Sequence, residues 1–277
     1  MLIQTRQSYF LQKICSIAHS ITNMPLKVQY CSDLHLEMPA NQMHMQKYPL
    51  QVKGDVLLMA GDIVPFSMMH NFDYFFDFIS RNFKYTWWVP GNHEYYHSDI
   101  SIRSGVVNEQ IRENVALVNN TSIIYEDIEF IFSTLWSKIN VDNAWQITRA
   151  MSDFHVIKSG EQRFNTLLFN QIHEECLNFI KHKIANPLAK KKLVITHHIP
   201  TFMNYPPKYK GDIISEAFAV EQFDLIEPSN IDAWIFGHHH YNIPEFKIGN
   251  TSMLTNQLGY VRHGENRLFD RGRILEL

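Results

Sequence analysis

The stretch LKVQYCSDLHLE, residues 26–37, joins a short β-prone run to a group of polar residues. Residues i and i+2 of a strand point to the same face, so Asp33 and His35 lie side by side where the run ends. A carboxylate and an imidazole presented together at the carboxyl end of a strand form a candidate binding pair. The pattern is typical of an open α/β sheet, which gathers its ligand sites at the ends of its strands.

Four further apolar runs end in polar groups in the same way. The strands predicted at 56–60, 85–89, 192–196 and 231–236 are followed by Gly61-Asp62, GNHE at 91–94, His197-His198 and GHHH at 237–240. Because all five groups sit at strand carboxyl ends, they can converge in one crevice. Carboxylate, amide-oxygen and imidazole donors suit a divalent transition ion rather than a calcium cage or a thiolate site. Their number exceeds the needs of one ion and fits two ions about 3.5–4 Å apart that share a carboxylate.

Composition narrows the class of protein. The chain has 277 residues, 45% of them hydrophobic, which is enough for one large domain with a substantial core. A net charge of −3 gives no strong nucleic-acid signal. No apolar run approaches the roughly 18 residues of a transmembrane segment. The three scattered cysteines, Cys15, Cys31 and Cys176, form neither a disulfide framework nor a paired thiolate site, so a cytoplasmic location is expected.

The remaining pattern predicts an alternation of strands and helices. Helices are predicted at 68–83, 99–114 and 161–184, and further strands at 116–118, 122–125 and 129–133. Residues 136–160 show no clear period and are expected to form a loop over the site, and 243–277 are expected to form a short-stranded edge. Residues 1–23 are interpreted as an N-terminal extension of uncertain role, with a translation start at Met24 as the alternative. Residues 24–277 are expected to form a single domain.

The five polar blocks resemble, in residue type and in order, the motifs of the calcineurin-like metallophosphoesterases. They span residues 33–240, most of the chain. The resemblance implies an α/β fold of four layers, an α-β-β-α sandwich in which two mixed β-sheets pack face to face between helices. It also implies a metal-dependent hydrolase of phosphate esters, with its site at one end of the sandwich.

Carried over residue by residue, the resemblance implies two divalent ions and seven ligands. The first ion would be bound by Asp33, His35 and His240, the second by Asn92, His197 and His238, and Asp62 would bridge the two. His93 would not be a ligand but would lie beside the substrate phosphate. Manganese, iron, zinc and magnesium all accept such ligands, and manganese is favoured here.

The mechanism that follows is an in-line attack on phosphorus by a hydroxide that the two ions activate, with His93 assisting at the leaving oxygen. No side-chain nucleophile is needed. The substrate is expected to be a small phosphate ester. A phosphodiesterase is preferred over a phosphomonoesterase because small single-domain members of the family often cleave diesters. A nuclease is a third variant, and the oligomeric state is not specified by the sequence.

Two alternatives of other classes are weighed against the hydrolase. A non-catalytic metal-binding scaffold of the same fold is disfavoured because every expected ligand and His93 are present. A mononuclear zinc hydrolase would leave several of these residues without a role, and no H-E-x-x-H motif occurs. Taken singly, Asp33 and Asp62 also suit capping positions, and Asn92 suits a turn.

Six neighbouring residues keep two interpretations each. His198 lines the pocket or packs away from it, and His239 is expected to point away from the metals. Glu94 either orders His93 or starts a helix. Three more residues, in the segment 136–160, are candidates for substrate contact or for an ordinary solvated loop: Arg149, Asp153 and His155. The segment 95–190 is expected to decide the substrate.

Overall fold

The computed structural model of the protein describes residues 25–277. The N-terminal extension at 1–23 and the alternative start at Met24 lie outside the described residues. The strands, numbered in chain order, are β1 (Lys27–Cys31), β2 (Val56–Ala60), β3 (Tyr85–Val89), β4 (Val107–Arg112), β5 (Val115–Asn119), β6 (Thr121–Tyr125), β7 (Ile128–Ser133), β8 (Lys158–Ser159), β9 (Gln162–Arg163), β10 (Lys191–Thr196), β11 (Ala233–Ile235), β12 (Phe246–Ile248), β13 (Thr251–Leu254) and β14 (Ile274–Glu276).

The α-helices are shorter elements, with one exception. They are α1 (Pro39–Lys47), α2 (Asp73–Asn82), α3 (Ala144–Ala150), α4 (Asp153–Val156), α5 (Thr166–Ala185) and α6 (Phe223–Ile226). Helix α5 begins where the Asn165 side chain accepts a hydrogen bond from the Leu168 backbone N–H at 3.0 Å. No helix of the described residues is both long and apolar enough to cross a membrane.

Two mixed sheets of six strands form the centre of the fold. The first has the order β14-β1-β2-β3-β5-β4 and the second the order β12-β13-β11-β10-β7-β6. In each sheet the four inner strands are parallel, and the edge strands pair with them antiparallel. The expected α/β fold with two mixed sheets flanked by helices is confirmed.

The core consists of three apolar layers. The sheets face each other across a layer that includes Tyr30, Leu58, Trp87, Phe130 and Ile195, all buried. Helices α1 and α2 cover the outer face of the first sheet, and the end of α5 with α6 covers the outer face of the second. Strand β2 is buried along its whole length, which explains its continuous run VLLMA.

The sequence prediction and the structure differ in three segments. The helix predicted at 99–114 is wrong, because a short 3₁₀ turn at Ile100–Ile102 is followed by the edge strand β4. The sequence of β4, VNEQIR, has three consecutive polar residues, so the alternation typical of a strand is missing. The helix predicted at 68–83 divides into a 3₁₀ turn at Phe66–Phe72 and α2, and the loop expected at 136–160 contains α3 and α4.

Candidate metal centre

The five strand ends deliver their polar side chains to one place. Three groups of side chains each hold their potential ligand atoms within 4.8 Å of one another: Asp33, His35, Asp62 and His240; Asp62, His197 and His238; and His35, Glu37 and His93. The first two share Asp62 and are the two ligand groups of the proposed ions. The residues following β1, β2, β10 and β11 thus meet at one end of the sandwich, as the motif spacing predicted.

Asp62 lies between the two groups. Its Oδ2 is 3.7 Å from Nε2 of His35 and 3.3 Å from Nε2 of His197. Its Oδ1 accepts a hydrogen bond from the backbone N–H of His93 at 2.9 Å. One carboxylate therefore faces both groups and also fixes the backbone of His93.

The four imidazoles of the two groups have their outer nitrogens bonded to the protein. These bonds are His35 Nδ1 to Glu37 Oε1 at 3.1 Å, His197 Nδ1 to the Ala60 carbonyl at 2.9 Å, His238 Nε2 to the Ala217 carbonyl at 3.4 Å and His240 Nδ1 to Glu265 Oε2 at 2.9 Å. Each outer N–H donates to an oxygen, which leaves the lone pair of the inner nitrogen pointing into the site. This is the arrangement of metal-binding histidines.

The inner nitrogens converge in pairs. Nε2 of His35 is 2.9 Å from Nε2 of His240, and Nε2 of His197 is 3.0 Å from Nδ1 of His238. Lone pairs held this close in a buried site, with carboxylates beside them, repel one another. A cation between them relieves this repulsion. The residues present therefore fit two divalent ions, and Asp62 has the position of a bridge.

Asn92 joins the second group through its amide oxygen. Oδ1 lies 3.2 Å from Nε2 of His197, and Nδ2 donates to Oδ1 of Asp153 at 2.7 Å. Asp153 is buried in helix α4. This residue was a candidate for substrate contact, and the structure places it behind Asn92 instead.

The backbone is strained where the ligand residues lie. Five of the seven proposed ligands have positive φ angles, Asp33 (55°), His35 (44°), Asp62 (55°), His238 (83°) and His240 (53°). Such angles are uncommon for residues other than glycine and cluster at functional sites. The strain is retained because each residue turns its side chain back across a strand end into the site.

Two glycines make room for one imidazole. A Cβ atom at Gly61, whose φ is +87°, would lie 2.2 Å from Nδ1 of His197. A Cβ atom at Gly91 would lie 2.7 Å from Nε2 of the same ring. The glycines that precede Asp62 and Asn92 in the sequence motifs thus allow His197 to sit between β2 and β3.

The charges of the site oppose the effect of burial. Burial alone would lower the pKa of His197, but the Asp62 carboxylate raises it to about 9. Burial would likewise lower the pKa of His240, but its bonds to Asp33 and Glu265 raise it to about 10. For the Asp62 carboxyl, the neighbouring histidines outweigh burial and hold the pKa well below its usual range. Without a metal, protons therefore occupy positions that cations would take.

His93 lies at the edge of the two groups rather than within them. Its ring stacks on Tyr96 with centroids 4.0 Å apart, and its Nδ1 is 3.4 Å from Oε1 of Glu37. Its Nε2 is 3.4 Å from the hydroxyl of Tyr260. His93 also lines a cavity of about 430 Å³ that opens above Asp62 and Asn92. The placement beside the ligands fits a residue that contacts substrate.

The other sequence candidates contribute to the surroundings. Glu94 is buried and accepts hydrogen bonds from the backbone N–H groups of Asp62, Ile63 and Gly91 at 2.9, 2.6 and 2.6 Å. It holds the turn of Asp62, and the hydrogen bonds found for it do not involve the His93 side chain. Its burial, with the Asp62 charge, raises the pKa of Glu94 to about 8.

The two further histidines of the motifs lie outside the ligand groups. The ring of His198 is buried between Trp136 and His238, with centroid distances of 5.1 and 4.3 Å. His239 bonds through Nδ1 to the side-chain amide of Gln257. Among the loop candidates, Arg149 packs over the exposed ring of Trp145. The imidazole of His155 bonds the Arg149 carbonyl at 3.4 Å on the surface.

Sequence reasoning missed three residues of the site. Glu37 and Glu265 orient His35 and His240, and Tyr260 lies with its ring centroid 4.5 Å from that of His240. Glu37 follows His35 by two residues in DLHLE, but this stretch lies beyond the end of β1 and has left-handed φ angles at Asp33 and His35, so strand alternation does not place Glu37. Glu265 and Tyr260 follow the last motif in a segment with no regular pattern.

Comparisons with known proteins agree with this geometry. The family model of the calcineurin-like phosphoesterases matches residues 26–242. An uncharacterised protein of Acanthamoeba polyphaga mimivirus is 32% identical over 267 residues, covering 86% of this chain and 93% of its own. The chain therefore belongs to the calcineurin-like phosphoesterase family. It is a metallophosphoesterase, of a family that depends on two divalent ions and acts on phosphate esters.

A solved structure shares the fold. The phosphopantetheinyl hydrolase of Mycobacterium tuberculosis superposes with a TM-score of 0.67 at 15% identity, over 92% of this chain and 97% of its own. A dimetal phosphatase of Danio rerio gives a TM-score of 0.41 at 12% identity, over 85% and 88% of the two chains.

Proposed function

We propose that the domain of residues 24–277 hydrolyses phosphodiesters, with Asp33, His35, Asp62, Asn92, His197, His238 and His240 as ligands of two divalent ions and His93 as the catalytic side chain. The observation that carries the diester preference is the charge of the cavity. Among the residues that line it, all in the described part of the chain, none is lysine or arginine, whereas Asp62 and Glu265 are acidic.

The charge of the substrate separates the two ester classes. A phosphate monoester carries close to two negative charges at neutral pH, whereas a diester carries one. Cationic side chains beyond the metal ions would favour a dianion, and this cavity offers hydroxyl and imidazole groups instead, from Ser152, Tyr260 and His93. The singly charged ester is therefore the better match.

A diester also needs space on both sides of phosphorus. Tyr209 lines the catalytic cavity and also a neighbouring concavity of about 1000 Å³. Phe218 and His239 border the catalytic cavity and a smaller pocket of about 260 Å³ that Tyr209 shares. The cavity is thus open past Tyr209, with room for a second ester group. The phosphopantetheinyl hydrolase that shares the fold makes diesters of this extended kind a reasonable first set of substrates.

The residues of the site have separable tasks. When bound, the two ions supply Lewis-acid stabilisation of the phosphoryl oxygens and activation of water. Asp33, Asp62 and the four histidines would hold the ions in place, and Asn92 would contribute its amide oxygen. His93 faces the cavity and donates a proton to the leaving oxygen. Tyr96 fixes the plane of the His93 ring by stacking.

We propose manganese as the working metal and the cytoplasm as the location. The carboxylate and amide oxygens of the ligand set suit manganese, and the four imidazoles also accept iron and zinc. Cys31 and Cys176, the cysteines of the described residues, are free and buried, which agrees with a reducing environment.

The test compares a bis-aryl phosphodiester with the matching aryl phosphomonoester after loading with Mn²⁺. We expect a higher kcat/KM for the diester, and we expect His93→Ala to lower kcat by about 10²–10⁴-fold for an alkyl diester, whose leaving oxygen needs a proton. His155→Ala is the matched control, because His155 lies on the surface away from the two ligand groups.

The outcomes separate the parts of the proposal. A preference for the monoester would overturn the diester assignment and leave the family unaffected. Two bound ions with hydrolysis of neither ester would show that these aryl groups do not fit the pocket, and diesters with longer arms would then decide. Absence of bound metal together with absence of hydrolysis would favour the scaffold alternative.

A further inference from the structure

Glu37 contacts both kinds of functional histidine with one oxygen atom. Its Oε1 lies 3.1 Å from Nδ1 of His35, a proposed ligand, and 3.4 Å from Nδ1 of His93, the proposed catalytic residue. The Glu37 side chain is only 10% exposed, and its Oε2 is buried without a hydrogen-bond partner. A carboxylate held in such surroundings calls for an explanation, since burial of an unsatisfied oxygen is costly.

We propose that Glu37 is a positioning residue for His93, so that a single carboxylate aligns the metal ligand His35 and the proton donor His93. The inference rests on the proposed function, because it concerns the same reaction. The carboxylate accepts the Nδ1–H of His93 and thereby directs Nε2 towards the cavity. Glu37 touches neither substrate nor leaving group, and it acts through the two rings.

The remaining contacts of His93 do not fix which nitrogen faces the cavity. Stacking on Tyr96, with 24° between the ring planes, sets the plane of the imidazole. A half-turn of the ring about its Cβ–Cγ bond keeps that plane and moves both nitrogens, so stacking does not select between the two orientations. The edge of His35 meets the His93 ring with centroids 4.5 Å apart. The hydroxyl of Tyr260 can donate to or accept from Nε2. The bond to Glu37 therefore determines that Nδ1 carries a proton and points to the carboxylate, and that Nε2 faces the cavity.

The proton transfer that depends on this alignment is balanced within the site. As the bond between phosphorus and the leaving oxygen breaks, its electron pair stays on that oxygen. The proton on Nε2 of His93 moves to the oxygen, and His93 becomes neutral with its Nδ1–H still bonded to Glu37. A diester whose leaving group is an alkoxide needs this proton most, because an alkoxide is a poor leaving group. A nitrophenolate leaves with little help.

The experiment uses Glu37→Gln with Glu129→Gln as the matched control. Glu129, in β7, is buried like Glu37 and likewise has one oxygen without a hydrogen-bond partner, and its other oxygen accepts the Leu188 backbone N–H at 2.7 Å, outside the site. Both variants are loaded with saturating Mn²⁺, and kcat is measured for a nitrophenyl diester and for an alkyl diester. The metal content of each variant is determined separately.

We expect Glu37→Gln at saturating Mn²⁺ to lose about 10- to 100-fold in kcat on the alkyl diester and to change little on the nitrophenyl diester. Glu129→Gln should keep the wild-type kcat on both substrates, because the hydrogen bonds of Glu129 involve neither His35 nor His93. The double variant Glu37→Gln/His93→Ala should be no slower than His93→Ala alone, because the two changes remove one function.

Recovery of Glu37→Gln by metal on both substrates would overturn the inference and reduce Glu37 to a support of His35. Additive losses in the double variant would overturn it as well. If Glu37→Gln folds poorly, Glu37→Asp is used instead, because it keeps the charge and draws the carboxylate away from His93. It must then lose kcat on the alkyl diester and change little on the nitrophenyl diester. Failure of the wild-type protein to cleave any diester would instead contradict the proposed function.

Discussion

Asn92 is held in one orientation by Asp153. The Nδ2 group of Asn92 donates to Oδ1 of Asp153 at 2.7 Å, which turns the amide oxygen to within 3.2 Å of Nε2 of His197. A free asparagine can exchange its oxygen and nitrogen by a half-turn of the side chain, and only the oxygen can bind a cation. Helix α4 therefore reaches the metal centre through a single hydrogen bond.

Replacing Asp153 by alanine should weaken binding at the second metal position. Asn92 would lose the bond that selects its orientation, and outer residues of this kind contribute about 10–100-fold to metal affinity. Titration with Mn²⁺, followed by the number of ions retained after dialysis, measures the loss. Asp142→Ala is the control, because Asp142 is exposed in the same segment. Unchanged affinity in Asp153→Ala would show that Asn92 is oriented by other contacts.

Replacing Asp62 by alanine should remove metal and activity together. Asp62 faces both ligand groups, so its loss affects both ions.

Replacing His93 by alanine should lower turnover and leave the metal content nearly intact, since the Asp62 carboxylate bonds the backbone N–H of that position and not its ring. Metal analysis beside a rate assay checks both. Loss of the ions from His93→Ala would mean that His93 is a ligand.

Metal uptake should release protons and become tighter as pH rises through neutrality. In the metal-free protein His197 has a pKa of about 9 and His240 of about 10, so both carry an extra proton at pH 7. A cation binds only the neutral ring, and it must therefore displace these protons. Calorimetry of Mn²⁺ binding in two buffers of different ionisation enthalpy counts them. A count of zero at pH 7 would contradict the raised pKa values.

Replacing Gly61 by alanine should destabilise the protein and displace His197. The φ of +87° is itself unfavourable for alanine, and the added Cβ would lie 2.2 Å from the imidazole. Strain of this kind costs about 1–3 kcal/mol before any movement of the ring. Denaturant unfolding of the metal-free protein measures the loss.

Gly160→Ala is the matched control for the glycine prediction. Gly160 has a φ of +58°, and an added Cβ meets no atom within 4 Å. Gly160→Ala should lower the free energy of unfolding only through backbone strain, by about 1–2 kcal/mol. Equal losses in the two variants would show that the contact with His197 adds nothing.

The sequence allowed much of the site to be predicted because each proposed ligand lies shortly after the end of a buried strand. Apolar runs such as VLLMA identify inner strands, and the polar residues after them can only meet at one edge. Glu265 and Tyr260 were not predictable, since they reach the site along an irregular path that no periodicity describes. The strand β4 was missed because its three consecutive polar residues break the alternation of a strand. Local pattern therefore located the proposed ligands but not their supports.

The part of the chain that the family model matches ends at residue 242, yet the centre is completed by residues beyond it. Leu258 and Gly259 donate backbone hydrogen bonds to the carbonyls of Ser32 and Asp33, and strand β14 pairs with β1. A gene fragment that ends at residue 242 would encode every proposed ligand, but it would leave His240 without Glu265 and β1 without its antiparallel partner β14. The folding unit is thus longer than the part that the family model matches.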